Sequence, residues 1–209
     1  LSAAIDRLSA PESGDPAWLA TQIDFGRIAA TGHSRGGYTA LALAGAALTP
    51  STAYRVYCAS NPDEATCRRF PSDAAFHTFR DERVSAAILF SPAKYTLTAE
   101  GIAQTQTPVL IMTGMLDAIT RYGMEVRPIY DALLTDKYLW TIENGDHFTF
   151  SDLCEAYEVL PPERQLLFGV ACDEDNPLPL AEAHALIRPV VQTFLDVYLR
   201  DLGDVEGVL

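Results

Sequence analysis

The chain has 209 residues, of which 48% are hydrophobic, and a formal net charge of −13. This length builds one sizeable core, and this hydrophobic fraction excludes a disordered chain. The acidic balance argues against nucleic acid and anionic membrane surfaces as partners, and no apolar run approaches the roughly 20 residues that span a bilayer.

Residues 1 to 10 predict a helix with Ala4, Ile5 and Leu8 on one face, followed by a loop from Pro11 to Pro16 and a short helical segment from Trp18 to Ile23. A strand over Arg27 to Thr31 leads into Gly32-His33-Ser34-Arg35-Gly36-Gly37, and a helix of small and apolar residues runs from Tyr38 to Leu48. Residues 50 to 83 are polar, mixed and cysteine-bearing, and read as a cap-like insertion rather than a strand-helix unit. Val84 to Phe90 is a strand of the near-continuous apolar kind found in parallel sheets. A helical turn near Leu97 to Ala103 precedes the strand Val109 to Thr113. A helix over Arg121 to Leu134, with Pro128 as a kink, precedes the strand Lys137 to Ile142. Residues 149 to 180 are irregular and acidic. An amphipathic helix over Glu182 to Leu202 closes the chain, carrying Leu186, Val190, Phe194, Leu195 and Tyr198. Alternating strands and helices of this type predict an α/β fold, a parallel sheet with helices on both faces, in one domain covering residues 1–209.

The order strand, G-x-S-x-G, helix is the context of a nucleophile elbow, in which a serine is held in a strained turn with its hydroxyl pointing out of the sheet. The close approach of strand and helix asks for small residues two before and two after Ser34, and Gly32 and Gly36 are there. A plain strand-helix turn or a phosphate loop is the alternative. A serine hydroxyl needs an imidazole to take its proton and a carboxylate to hold that imidazole in one tautomer. In chain order, Asp117 follows the strand ending at Thr113, and His147 follows the strand ending at Ile142. Asp146 is a rival acid, but a neighbour of His147 does not easily reach behind its ring. His33 is locked in the elbow, His77 lies in the insertion, and His184 sits on the last helix. The backbone N–H of Arg35 is the expected oxyanion donor, and Tyr38 and Phe148 are expected near the walls of the pocket.

The four cysteines fall into two pairs without C-x-x-C spacing. Disulfides Cys58–Cys67 and Cys154–Cys172 would staple polar loops that have little core of their own, and they imply an oxidising compartment, secreted or periplasmic. Free buried thiols and a zinc site built from all four are the alternatives.

Elbow, acid and histidine together resemble the α/β-hydrolase superfamily. The segments GHSRGGYTALALAGA, YCASNPDEATC, DHFTFSDLC and ACDED are similar to bacterial dienelactone-hydrolase-like serine esterases related to platelet-activating-factor acetylhydrolases. That resemblance implies hydrolysis of small-molecule carboxylic esters through an acyl-enzyme, with Ser34, Asp117 and His147 as the triad and with neither metal nor cofactor. Strict dienelactone hydrolases carry a cysteine nucleophile where this chain has Ser34. The family elbow usually lies on a fifth strand after more than a hundred residues, whereas 33 residues precede Ser34 here. The sequence also opens on Leu1 and carries no signal-peptide pattern. The early strands, and the loop that gives the second oxyanion donor, are therefore expected in a missing N-terminal segment or a second chain. Two other readings stay open: a non-catalytic module on the same fold, and a peptidase.

Overall fold

The computed structural model describes residues 1–10, 21–50, 52–64, 67–68, 77–153, 159, 161 and 178–205. The predicted loop 11–16, residues 18–20 of the segment 18–23, and Cys154 and Cys172 lie outside the described residues.

Four parallel strands form the main sheet: β1 (Ile28–His33), β4 (Val84–Phe90), β5 (Val109–Gly114) and β6 (Lys137–Ile142), side by side in that order. Their bounds follow the apolar runs of the sequence. β5 is buried at every position, as a central parallel strand must be. The alternation of side chains divides the core. Ala87, Leu89, Val109 and Ile111 face one side, where α2 (Arg35–Leu43) and the short α4 (Ala99–Ile102) contribute Leu41, Leu43 and Ile102. Ala86, Ile88, Leu110 and Met112 face the other side, against Ala183, Ile187, Val190 and Phe194 of α6 (Leu180–Arg200). Phe194 is fully buried. The result is a three-layer α/β arrangement in which, among the described residues, β1 lies at one edge of the sheet and β6 at the other.

Several elements depart from the sequence expectation. The predicted helix Tyr38–Leu48 stops at Leu43. Gly45 adopts a φ of +117° that ends it, and Ala47–Leu48 become β2. β2 pairs antiparallel with β3 (His77–Thr78), so His77 sits on a strand within the segment 50–83. That segment also holds α3 (Thr52–Ser60), tied by the disulfide Cys58–Cys67. The first helix, α1 (Ser2–Ser9), buries none of its residues, and Leu8 is 36% exposed. Arg83 anchors it instead, bonding Asp6 at 2.7 Å and the main-chain carbonyl of Ser2. The predicted helix 121–134 is a π-turn over Tyr122–Val126 followed by α5 (Arg127–Ala132). Pro128 lacks the N–H that a continuous α-ladder would use there. On α6, Leu186 points to solvent at 44% exposure, and Ile187 takes the core position one residue on.

Both sulfurs of Cys58–Cys67 belong to buried residues. The bridge closes a nine-residue separation, and loop-closure entropy gives it about 2.5–3 kcal/mol. The paired variant Cys58→Ala with Cys67→Ala is expected to lose about that much unfolding free energy in urea, with an equal or slightly steeper slope as the unfolded chain is released. A loss under about 0.5 kcal/mol means that the unfolded chain gains little freedom when the bridge is removed.

Candidate active site

Ser34 joins β1 to α2 with φ 56° and ψ −115°, a conformation that costs a non-glycine residue on the order of 1–3 kcal/mol. Its main chain is fastened on three sides. The N–H donates to Phe90 O at 2.9 Å, and the carbonyl accepts from Tyr38 N and from Ala93 N. The side chain makes no capping bond to α2, so the hydroxyl stays free of the helix. Arg35 opens α2, and its N–H is among the first of a helix that have no intrahelical acceptor. These N–H groups and the helix dipole favour negative charge beside Ser34.

The glycines that permit the turn differ in part from the expected pair. A Cβ on Gly32 would stand 2.3 Å from the Gly36 main chain, so Gly32 is sterically required. A Cβ on Gly36 meets nothing within 4 Å, which corrects the expectation that position 36 demands a small side chain. The second tight position is Gly37, whose Cβ would lie 3.0 Å from Pro92.

Asp117 and His147 come from the loops after β5 and β6, and the strand ends bring those loops together. A Cβ on Gly114 would lie 2.2 Å from Gly145 O, so the two segments touch backbone to backbone. Met115 N donates to Ile142 O and Leu116 N to Gly145 O, each at 2.9 Å. His147 Nδ1–H then donates to Asp117 Oδ2 at 2.8 Å, with His147 only 5% exposed. The other carboxylate oxygen accepts from Ile119 N and Thr120 N, and Thr120 Oγ1 donates to Oδ2 at 2.7 Å. Burial works to raise the Asp117 pKa. The hydrogen bonds from His147 and Thr120 outweigh it and hold the carboxyl at about 2. An ionised carboxylate only accepts, so the proton is on Nδ1 of His147, and Nε2 is the bare nitrogen of the neutral ring.

The ring of His147 lies against that of His33, the residue before Ser34, with centroids 4.5 Å apart. Among the described residues no hydrogen bond joins Ser34 Oγ to His147. Asp146 has a different part: its Oδ1 accepts from Phe148 N and Thr149 N and caps the 3₁₀ turn Phe148–Phe150. His184 pairs with Asp152 on the α6 side. The Phe148 ring stands 5.1 Å from that of His147 and 6.1 Å from that of His33. Tyr38 packs edge-on against Tyr95 and bonds Thr96 through its hydroxyl. It also lines a cleft of about 370 Å³ with Leu43, Leu48 and Phe79, whose lining does not include Ser34. Among the described residues no cluster of His, Cys, Asp and Glu is able to hold a metal ion. Thr120, His33, Gly114 and Gly145 escape the motif reading. The D-x-x-T spacing of Asp117 and Thr120 is the one local signal for the first of them.

The chain matches no model of a known protein family, and no curated protein compared with it is a significant match.

Gly32→Ala is expected to destabilise at the upper end of about 1–3 kcal/mol because backbone must move. Gly36→Ala, inside α2, should be neutral or stabilising by up to about 1 kcal/mol. Urea unfolding of both variants measures the contrast, and equal losses would show that the turn relaxes around either methyl.

A carboxyl held near 2, against about 3.9 in the unfolded chain, stabilises the fold above pH ~4 and loses that contribution as pH falls through 2. The stability gap between the native protein and Asp117→Asn should therefore be constant above about pH 4 and shrink toward pH 2. A gap that stays level down to pH 2 shows that ionised Asp117 is not its source.

Proposed function

We propose that this chain is a serine hydrolase of the α/β-hydrolase type that cleaves small-molecule carboxylic esters. The observation that carries this reading is the buried Nδ1–H···Oδ2 bond between His147 and Asp117, set against a strained Ser34 at the strand-helix turn. The order of the parts along the sheet supports it: nucleophile after β1, acid after β5, histidine after β6.

In the proposed reaction Ser34 Oγ attacks the ester carbonyl carbon as its proton passes to His147 Nε2. The tetrahedral oxyanion is met by the Arg35 N–H and the N-terminal dipole of α2. The C–O bond to the alcohol breaks, and the imidazolium gives the leaving alkoxide its proton. Water then attacks the acyl-enzyme, gives a proton to Nε2, and Ser34 Oγ leaves with that proton. Asp117 stays ionised throughout and stabilises the imidazolium. The Cys58–Cys67 bridge supports an oxidising, secreted or periplasmic setting.

A non-catalytic module is the second reading. It draws on the lack of a Ser34–His147 hydrogen bond among the described residues, although catalytic bonds often tighten only with substrate bound. A fluorophosphonate probe should label Ser34, and Ser34→Ala should abolish labelling. Ser34→Ala and His147→Ala should each remove nearly all turnover of p-nitrophenyl acetate, with the double variant little worse than either, because the residues act as a unit. Asp117→Asn should cost about 10⁴-fold in kcat. A folded protein that neither labels nor hydrolyses any of a panel of short and long esters overturns the enzyme reading.

A further inference from the structure

His33 carries an interaction that the ester-hydrolysis scheme does not use. It is the last residue of β1, opposite Phe90 of β4. Alternation along β1 puts it on the same side as Ala29, which packs toward the α6 side of the sheet. From there His33 Nε2 reaches the main-chain oxygen of His147 at 2.7 Å. A carbonyl only accepts, so Nε2 carries the proton. The two rings lie with centroids 4.5 Å apart and planes tilted by 50°, and Phe148 closes over both.

We propose that His33 is a positioning residue: its Nε2–H clamps the main-chain carbonyl of His147 and so sets where the His147 ring stands relative to Ser34. Asp117 fixes the rotation of the His147 ring from one end, through Nδ1. His33 fixes the backbone from which that ring hangs. Because His33 and Ser34 are consecutive, the clamp ties the base loop directly to the residue that needs the base. It adds a direct link between the ends of β1 and β6, which are not adjacent in the sheet, to the indirect one that runs from Ser34 through the β4 loop to Thr120, Asp117 and His147.

The role requires a proton on His33 Nε2, which the neutral Nε2–H ring supplies. Burial pushes its pKa down; the bond to His147 O, Asp117 and Asp146 work against that, and the His147 charge adds to it, with a net lowering. A neutral ring puts no second positive charge beside His147 when His147 takes the serine proton. The residue keeps a donor on Nε2 and contributes shape and direction, not charge.

This inference rests on the proposed hydrolase reading for its kinetic arm, and the test separates the two. In His33→Leu, kcat should fall about 10–100-fold with KM within about twofold, the signature of a displaced catalytic group. His33→Gln, which keeps a donor, should recover most of that loss. Thermal melts establish that both variants fold. Imidazole ¹⁵N spectra of the native protein should show His33 as the neutral Nε2–H tautomer at pH 7. In His33→Leu the His147 Nδ1–H resonance should shift and exchange faster with water. A native His33 that is neutral with its proton on Nδ1 at pH 7 overturns the proposal. So does a folded His33→Leu with kcat within twofold of native, or a His33→Gln no better than His33→Leu. If the native protein hydrolyses no ester, the hydrolase reading fails, and the spectra alone decide whether the clamp exists.

Discussion

The arrangement depends on backbones that touch where side chains ordinarily stand. At the C-terminal end of the sheet, Gly32 presses on Gly36 and Gly114 presses on Gly145, each at a separation that a methyl group would fill. The first contact lets the chain reverse from β1 into α2 within one residue, which loads the strain onto Ser34. The second contact brings the loops after β5 and β6 close enough for main-chain bonds, and those bonds put Asp117 beside His147. Side-chain chemistry at this end of the molecule is therefore positioned by glycine sterics at one strand–helix turn and between two adjacent strand ends. Interiors are too densely packed for such contacts to relax freely.

A buried carboxylate is the most expensive group in the site, and its surroundings show how the cost is offset. Asp117 accepts two backbone N–H bonds on one oxygen and two side-chain bonds on the other. A charge satisfied in this way costs far less to bury than an isolated one. Thr120 takes part twice, through its amide and its hydroxyl, and its Oγ1 is also 3.0 Å from Ser91 O. Ser91 itself has a positive φ of 41° at the end of β4. The acid loop is thus braced against the β4 loop as well as the β6 loop, and three strand ends share the load of one ionised group.

The strands were legible in the sequence because a buried parallel strand announces itself as an unbroken apolar run. β4 at Val84–Phe90 and β6 at Lys137–Ile142 coincide with such runs from end to end, and the sheet and its two covering layers follow from them. Helix limits were less legible, since they turn on single residues. Gly45 stops α2 five residues before the apolar pattern ends, and Pro128 splits a predicted helix into a π-turn and an α-helix. Helix α1 shows the opposite failure: its apolar stripe promises burial, yet Arg83 holds the helix through polar groups while the stripe stays largely exposed. Ser34, Asp117 and His147 could be picked as candidates from motif order. The bonds of Thr120 and the reach of His33 could not, because they depend on which loops cross in space. Gly36 misled for the same reason. A glycine two residues after the serine fits the motif, but the contact is made by the Gly32 side, with the Gly36 Cβ position open.

β1 leads into Ser34, the proposed nucleophile, and is an edge strand among the described residues, with only Ala30 buried along it. A parallel strand in that position has one neighbour, β4, to fix its register, and that register slips between Ile28 and Ala29. The constraints at its far end compensate. Within two residues of the β1 terminus, Ser34 N is bonded to β4, Ser34 O to α2 and to the loop after β4, and His33 to the loop after β6. The strand is loosely specified where it begins and tightly specified where it ends. Strain of the kind stored at Ser34 persists only where the surroundings over-determine the backbone, and these four bonds meet that condition. The physical logic of the site therefore runs backward along β1: the turn is held by what surrounds it, and the strand leading into it is positioned by the turn as much as by the sheet.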